Sequence, residues 1–330
     1  MSIYNTEYFQ NNKLYLEKNE FLYLPENSEK KPLFIGFNIN NDFFSALGVE
    51  ITSIAENNKD LALNFFVFVD SYTKDNYEKL KNTAQKYKCN IYLFVMNMEI
   101  FQNFHIKVKR FSRVTYIRTV MPWVLKDYTD RYLYLDADMI AIGSLKNFLN
   151  INMDGKAVAA VACDLPDRVE FLKLKNGVYF QDGMLWINIK NWIEQKVTER
   201  IFEYQGADPN RFKGQTQDIF NMVLDGDFKS IPSMFHHPDG HMDITGILIH
   251  YAGRNKPWES VLNEDDQRWR EYLDKSEWPS MPDPMPPKKP QYYHNYKKIA
   301  EICYDEHRYL KSLNAIFWYS VLKIRLKLGL

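Results

Sequence analysis

Arg131-Tyr132-Leu133-Tyr134-Leu135-Asp136-Ala137-Asp138-Met139-Ile140 is the stretch whose reading decides the fold. Its first five residues mix aromatic and aliphatic side chains, as a buried strand does, and the apolar run gives way to two acids at the strand's carboxyl end. Upstream, Leu33 to Ile39, Asn64 to Val69 and Asn90 to Val95 have the same character. Segments of helical period lie between the runs. Phe43 to Asn57 carries Phe44, Leu47, Val49, Ile51 and Ile54; Asp75 to Tyr87 starts on an Asp suited to capping; Ser112 to Lys126 sets apolar residues opposite charges. Downstream, Ala157 to Ala162, Met184 to Ile189 and Ile247 to Tyr251 again read as strands. This alternation predicts an α/β fold with a mostly parallel central sheet covered on both faces. In such sheets ligands sit beyond the carboxyl ends of the strands.

The 330 residues are enough to bury a full apolar core. Lys plus Arg and Asp plus Glu number 42 each, so no overall field steers the chain toward nucleic acid. Cys89, Cys163 and Cys303 are odd in number, far apart and form no Cys-x-x-Cys pair, which argues against a disulfide framework or a structural zinc site and fits a reducing cytoplasm. Residues 1–31 alternate Asn, Glu and Lys with aromatics and read as an N-terminal extension without a signal peptide or membrane span. The catalytic region is expected over 32–258. A connection follows over 259–290, where Pro279, Pro282, Pro284, Pro286, Pro287 and Pro290 crowd together. Residues 291–330 read as helical. From Lys288 onward there are nine Lys or Arg against three Asp or Glu, among Phe317, Trp318, Tyr319, Ile324 and Leu326. That is the composition of an interfacial helix drawn to anionic lipid, or of a C-terminal helix packed on the domain with a solvated basic face.

Side chains two residues apart on an extended segment project to one side, so Asp136 and Asp138 can reach one hard cation that holds a diphosphate. Asp-x-Asp arises by chance roughly once in a chain of this length. Asp225-Gly226-Asp227 is such a decoy: Asp-Gly marks a turn and no strand leads into it. A second feature is Ile247-Leu248-Ile249-His250-Tyr251-Ala252-Gly253-Arg254-Asn255-Lys256-Pro257-Trp258. His250 leaves a strand as the chain turns polar; it either completes a metal's coordination or is a hydrogen-bonded core histidine. Gly253 permits close backbone approach, and Lys256 offers a point charge to phosphate oxygens. His236, His237 and His241 read either as a metal-binding cluster or, as the Pro-Asp-Gly turn signal among them favours, as a loop bordering the acceptor cleft, while Trp192 reads as a helix anchor.

From Leu33 to Trp258 the sequence resembles the family-8 glycosyltransferases, and within them the bacterial lipopolysaccharide core glucosyl- and galactosyltransferases. The joint pattern carries the resemblance: a strand ending in Asp-x-Asp, then His-x-x-Gly-x-x-Lys-Pro-Trp about 110 residues later. It implies a GT-A type nucleotide-binding fold, with Asp136, Asp138 and His250 as ligands of Mn²⁺, or of Mg²⁺ in its place. Ala137, Gly253 and Lys256 would face the UDP-sugar donor. Asn40 would sit at the edge of the uracil and Phe43 would stack on it, although family members usually carry Asp where Asn40 and Asn41 stand. Arg118 matches a helix arginine near the donor phosphate, and Asp164 a position facing the donor sugar's hydroxyls. Phe180-Gln181-Asp182-Gly183 replaces the usual Phe-Asn-Ser/Ala-Gly, and Thr216-Gln217-Asp218 replaces Asp-Gln-Asp. Gln181 and Asp182 thus fall in the donor site, and Asp164, Gln217 and Asp218 at the catalytic positions.

The implied activity is retaining, metal-dependent transfer of a hexose, glucose or galactose, from a UDP-sugar to a lipopolysaccharide, lipooligosaccharide or other surface-glycan acceptor. The chain would work in the cytoplasm, peripheral on the inner face of the anionic membrane through its basic C-terminus. Gln217 is a poor nucleophile, which favours front-face attack by the acceptor hydroxyl. Two other readings use the same grip on a diphosphate. One is a glycan or sugar-nucleotide binding module that no longer turns over, the other a nucleotidyltransferase.

Overall fold

The computed structural model describes residues 3–106, 112–207, 212–235, 246–252, 256–259, 261, 264–279, 288–305 and 307–330. The chain divides into a larger unit that ends at His250 and a second that spans Tyr251–Leu330.

The larger unit begins with α1 (Thr6–Asn11) and β1 (Tyr15–Leu22). An alternating set follows: β2 (Lys31–Ile39), α2 (Phe44–Asn57), β3 (Leu61–Val69), α3 (Lys74–Tyr87) and β4 (Asn90–Met96). The region expected as one helix from Ser112 to Lys126 is instead a 3₁₀ segment, Arg113–Thr119, then the short α4 (Met121–Leu125). Pro122, with no N–H to give, falls at the start of α4, where that donor is not needed. Thr73, not Asp75, caps α3: its hydroxyl accepts from the Asn76 N–H, and Asp75 falls within the first turn. Next come β5 (Arg131–Leu135), β6 (Met139–Ala141), β7 (Val158–Cys163), α5 (Pro166–Leu172), β8 (Tyr179–Phe180), β9 (Met184–Asn188), α6 (Ile189–Glu194), α7 (Val197–Ala207), α8 (Thr216–Leu224), β10 (Lys229–Ile231) and β11 (Leu248–His250). Trp192 lies fully buried in α6 and donates its indole N–H to Thr198.

The sheet order is β1-β4-β3-β2-β5-β9-β7-β10, with β8 paired to β7. Its centre, β4-β3-β2-β5, is parallel. Every residue of β3 is buried, because helices cover both faces of a parallel sheet, and this is why its sequence is a continuous apolar run. β1 runs antiparallel on the outer edge of β4, so the first 31 residues contribute a strand to the sheet. Its Glu17, Lys18, Asn19 and Glu20 are polar because an edge strand is solvated. The chain winds outward from β2 to β4 and then returns to the other side of β2 as β5. The β2/β5 boundary is therefore the switch point, where the connections diverge and leave a crevice at the strands' carboxyl ends. Asn40 follows β2 there, and Asp136 follows β5.

The second unit holds α9 (Glu264–Lys275), α10 (Tyr293–Asp305) and α11 (Tyr309–Leu328). α10 and α11 pack through Ile299, Ala300, Cys303 and Ala315, and the Ser312 hydroxyl donates to the Ala300 carbonyl. The Lys-Pro-Trp segment is tied to α9: Arg270 donates to the carbonyls of Pro257 and Trp258, and the Trp258 and Trp269 rings lie 5.5 Å apart. Among the described residues no helix is long and apolar enough to cross a membrane.

Candidate active site

The acids of Asp136-Ala137-Asp138 leave the sheet where β5 ends and β6 begins. β6 pairs antiparallel with β11, and the register sets Met139 opposite His250. One ligand atom from each of Asp136, Asp138 and His250 lies within 4.8 Å of the others. His250 Nε2 is 3.0 Å from Asp138 Oδ1 and 3.8 Å from Asp136 Oδ2. Two half-exposed carboxylates and a buried imidazole aimed at one point make an oxygen and nitrogen donor set suited to a divalent ion such as Mn²⁺ or Mg²⁺.

The backbone beside the trio fits the same use. Asp136 N–H donates to Gly183 O at 2.8 Å, which brings β9's entry against the acids. A Cβ on Gly183 would stand 2.7 Å from His250 Cε1 and 2.9 Å from Asp136 Oδ2. Only a residue without a side chain leaves those ligands their space.

Arg118, buried at the end of the 3₁₀ segment, organises the acids from behind. Its Nη2 donates to Asp136 Oδ1 at 2.7 Å, and its Nη1 to Asp182 Oδ2 at 3.1 Å and to Asp182 O at 3.2 Å. Nε donates to Thr115 O, and the guanidinium lies 4.5 Å over the Tyr134 ring. Burial disfavours its charge, but Asp136, Tyr134 and Asp182 outweigh that and raise its pKa. Tyr134 donates its hydroxyl to Asp136 Oδ1 at 2.7 Å, and Thr216 its hydroxyl to Asp182 Oδ2 at 2.7 Å. Burial raises the pKa of Asp182; Arg118 opposes the shift and Asp136 adds to it.

The structure thus brings Asp136, Ala137, Asp138, His250, Arg118 and Asp182 into one neighbourhood. Gln181, half-buried, precedes Asp182. Asn40 and Phe43, both half-buried, follow β2; Asn40 Oδ1 is buried with no hydrogen-bond partner among the described residues. Asp164 is exposed just past β7. Gln217 is half-buried in the first turn of α8. Beside it, Asp218 is fully buried and closed in by protein donors: Arg168 Nη2 reaches both oxygens at 2.6 Å, Tyr179 donates to Oδ1 and Gly214 N to Oδ2. Lys256, in the second unit, donates to Tyr251 O. Gly253, His236, His237 and His241 lie outside the described residues. The Asp225 pair is a turn, as expected, with both Asp225 and Gly226 at positive φ.

Two participants were missed from sequence. Tyr134 carried a signal, since it lies two residues before Asp136 and so on the same side of the strand. Glu50 is the one acid in the apolar body of α2, and it is fully buried. Burial, and after it the charge of Asp138, holds its carboxyl well above the ordinary range.

The sequence pattern of the family described as glycosyl transferase family 8 matches residues 34–261. The lipopolysaccharide 1,2-glucosyltransferase of Escherichia coli K12 is 28% identical over 268 residues, covering 74% of this chain and 79% of its own. The lipopolysaccharide 1,3-galactosyltransferase of Salmonella typhimurium LT2 is 25% identical, covering 71% of this chain and 75% of its own. Among solved structures, the galactosyltransferase LgtC in complex with donor and acceptor sugar analogues superposes with a TM-score of 0.66 at 21% identity, over 74% of this chain and 96% of LgtC. That likeness carries the fold, which is of the GT-A type expected.

Proposed function

Because the chain belongs to glycosyl transferase family 8, we propose that it moves a hexose, glucose or galactose, from a UDP-sugar to a lipopolysaccharide or related surface-glycan acceptor, retaining the anomeric configuration. The observation that carries this reading is the convergence of Asp136, Asp138 and His250 at the switch point of the sheet, with Arg118 behind them. Asp136, Asp138 and His250 would hold a divalent ion, Mn²⁺ by preference. When bound, such an ion supplies a Lewis acid that offsets charge on the departing diphosphate.

The residues around it bind and orient. Asn40 offers its carbonyl oxygen, unpartnered among the described residues, to a base N–H, and Phe43 its ring to the uracil face. Arg118 uses four N–H bonds on Thr115, Asp182 and Asp136, leaving one Nη2 hydrogen for a donor oxygen. On this reading the roles of Asp164 and Gln181 are toward the hexose hydroxyls, and those of Gly253 and Lys256 toward the diphosphate. Asp218 is occupied by Arg168, Tyr179 and Gly214, so it anchors the start of α8 and does not attack the sugar. Asp182 is held by Arg118 and Thr216, and Gln217 carries an amide, so neither supplies an unengaged carboxylate nucleophile. This favours front-face attack by the acceptor hydroxyl, in which the bond from the anomeric carbon to the diphosphate breaks and the leaving phosphate oxygen takes the hydroxyl proton.

Catalysis is assigned to residues 32–258, with β1 from the preceding segment completing the sheet edge; 259–290 connects, and 291–330 meets the acceptor and the inner face of the cytoplasmic membrane. The apolar residues that α11 exposes among its lysines support the last assignment. A panel of UDP-sugars with Mn²⁺, read out as UDP release with and without a glycan acceptor, tests the proposal. Release of UDP from one hexose donor, abolished by chelator, is expected. Donor binding with no release from any sugar would make the protein a binding module, and pyrophosphate as product would make it a nucleotidyltransferase.

A further inference from the structure

β6 is only three residues long, yet it joins the metal-ligand candidates: Asp138 immediately precedes it, and His250 pairs with its first residue, Met139. One edge of β6 carries β11, and the other has no strand partner among the described residues. Side chains of α2 occupy that second edge. Ala141 N donates to Ser53 Oγ at 2.9 Å, and Ala141 O accepts from Asn57 Nδ2 at 3.0 Å. Leu145 N donates to Asn58 Oδ1 at 2.6 Å, and Met139 N reaches toward Glu50 Oε2 at 3.5 Å. Glu50, Ser53 and Asn57 are spaced by three and four, so they form one stripe of the helix. Ser53 and Asn57 are also tied to their own helix: Ser53 Oγ donates to Glu50 O, and Asn57 Nδ2 to Ser53 O. The helix thereby does for β6 what a neighbouring strand would do.

We propose that Ser53 and Asn57, flanked by Glu50 and Asn58, are positioning residues for the divalent-ion grip, holding the outer edge of β6 and so setting Asp138 against His250. A two-stranded piece this short is marginal unsupported, and buried backbone groups left unpaired are costly. A one-residue slip would turn every β6 side chain to the opposite face and break the Met139–His250 register on which the 3.0 Å approach of His250 to Asp138 depends. The inference rests on reading Asp136, Asp138 and His250 as metal ligands.

The test is direct Mn²⁺ binding, followed by the electron paramagnetic resonance signal of free Mn²⁺ with UDP present, so that no turnover is involved. Ser53→Ala should raise the Kd for Mn²⁺ by about tenfold, the lower end of what loss of an outer partner costs a metal site. At saturating Mn²⁺, kcat and the donor KM should remain within about twofold of wild type, because the ligands themselves are intact. Ser53→Thr, which keeps the hydroxyl, should restore most of the affinity. Thr52→Val is the control, since Thr52 is equally buried in α2 but its hydroxyl has no hydrogen-bond partner among the described residues; it should bind Mn²⁺ as wild type does. If Ser53→Ala does not fold, Asn57→Ala at the half-exposed end of the stripe carries the same expectation. Wild-type affinity in Ser53→Ala or Asn57→Ala, or equal weakening by Thr52→Val, would overturn the positioning role alone. A wild-type protein that takes up no Mn²⁺ would overturn the metal reading, and this proposal with it.

Discussion

The Arg118 guanidinium donates to Asp182 Oδ2 from 3.1 Å while its other terminal nitrogen holds Asp136. One buried cation therefore compensates two carboxylates that would otherwise repel across the head of the site. Removing it with Arg118→Met strands both acids, and a buried pair broken from one side costs about 3–5 kcal/mol. Adding Asp182→Asn to that background should recover part of the loss, with a coupling of about 1–3 kcal/mol. Urea unfolding of the four proteins measures it; strictly additive effects would show that the pair is not coupled.

The Asp138 carboxylate and the turn pair Asp225 and Asp227 share a sequence pattern but not a setting. Asp138→Ala should lower UDP release at least about 100-fold with the fold retained, because loss of a ligand exceeds the loss of an outer partner. Asp225→Asn with Asp227→Asn should stay within about threefold of wild type. Asp227 forms an exposed ion pair with Lys156, a contact worth about 0–1 kcal/mol. Full activity of Asp138→Ala in the presence of chelator would remove the ion from the mechanism.

How far the sequence was legible depends on burial. β3 and β5 were readable because strands packed on both faces must be apolar, and their acids and turns were readable where that run stops. β1 was not, since its polar composition is what a solvated edge strand carries and equally what a loop carries. β6 was too short to have a period, and its support comes from side chains of α2 that look like isolated polar residues in an apolar helix. The ligand trio could be assembled from strand ends and a family resemblance. The Arg118–Asp182–Thr216 linkage could not, because nothing along the chain announces contacts across 34 and 64 residues.

Gly183 makes a sharper demand. Its missing side chain leaves room for His250 and Asp136, and a methyl there would stand at 2.7 and 2.9 Å from them. Gly183→Ala should cost about 1–3 kcal/mol of stability through overpacking and displace a ligand of the candidate ion. Mn²⁺ affinity and UDP release should fall together. A variant that binds Mn²⁺ normally would show that the neighbours yield without moving the grip.

Two of the three thiols should be slow to react in the native protein. Burial pushes the Cys89 thiol up to about 12; burial, with the nearby Asp164 charge, pushes Cys163 up to about 11. The thiolate is the nucleophile, so raising the pKa shrinks the reactive fraction at any lower pH. For Cys163, alkylation by iodoacetamide at pH 8 should run about 100-fold below an unperturbed thiol and keep climbing past pH 9 toward 11. Peptide mapping after timed labelling checks this. A plateau near pH 9 would mean that the neighbourhood does not suppress ionisation.

The last prediction concerns α11. Leu310, Leu313, Phe317, Ile324 and Leu328 are all more than half exposed, and their spacing of three, four, seven and four puts them on one stripe. Lys311, Lys323, Arg325 and Lys327 lie on the same helix. Apolar area facing water costs roughly 25 cal/mol per Å² relative to burial, so this stripe gains by entering a lipid interface, and the basic residues add attraction to anionic headgroups. The full chain should co-sediment with vesicles rich in phosphatidylglycerol, less so as salt screens the charges, and poorly with neutral phosphatidylcholine. Leu313→Glu with Phe317→Glu should weaken that binding at least about tenfold, since burial of each replaced side chain is worth about 1.5–3 kcal/mol. UDP release to water, measured without acceptor, should not change. If the double variant sediments with anionic vesicles as wild type does, the stripe serves something other than a membrane.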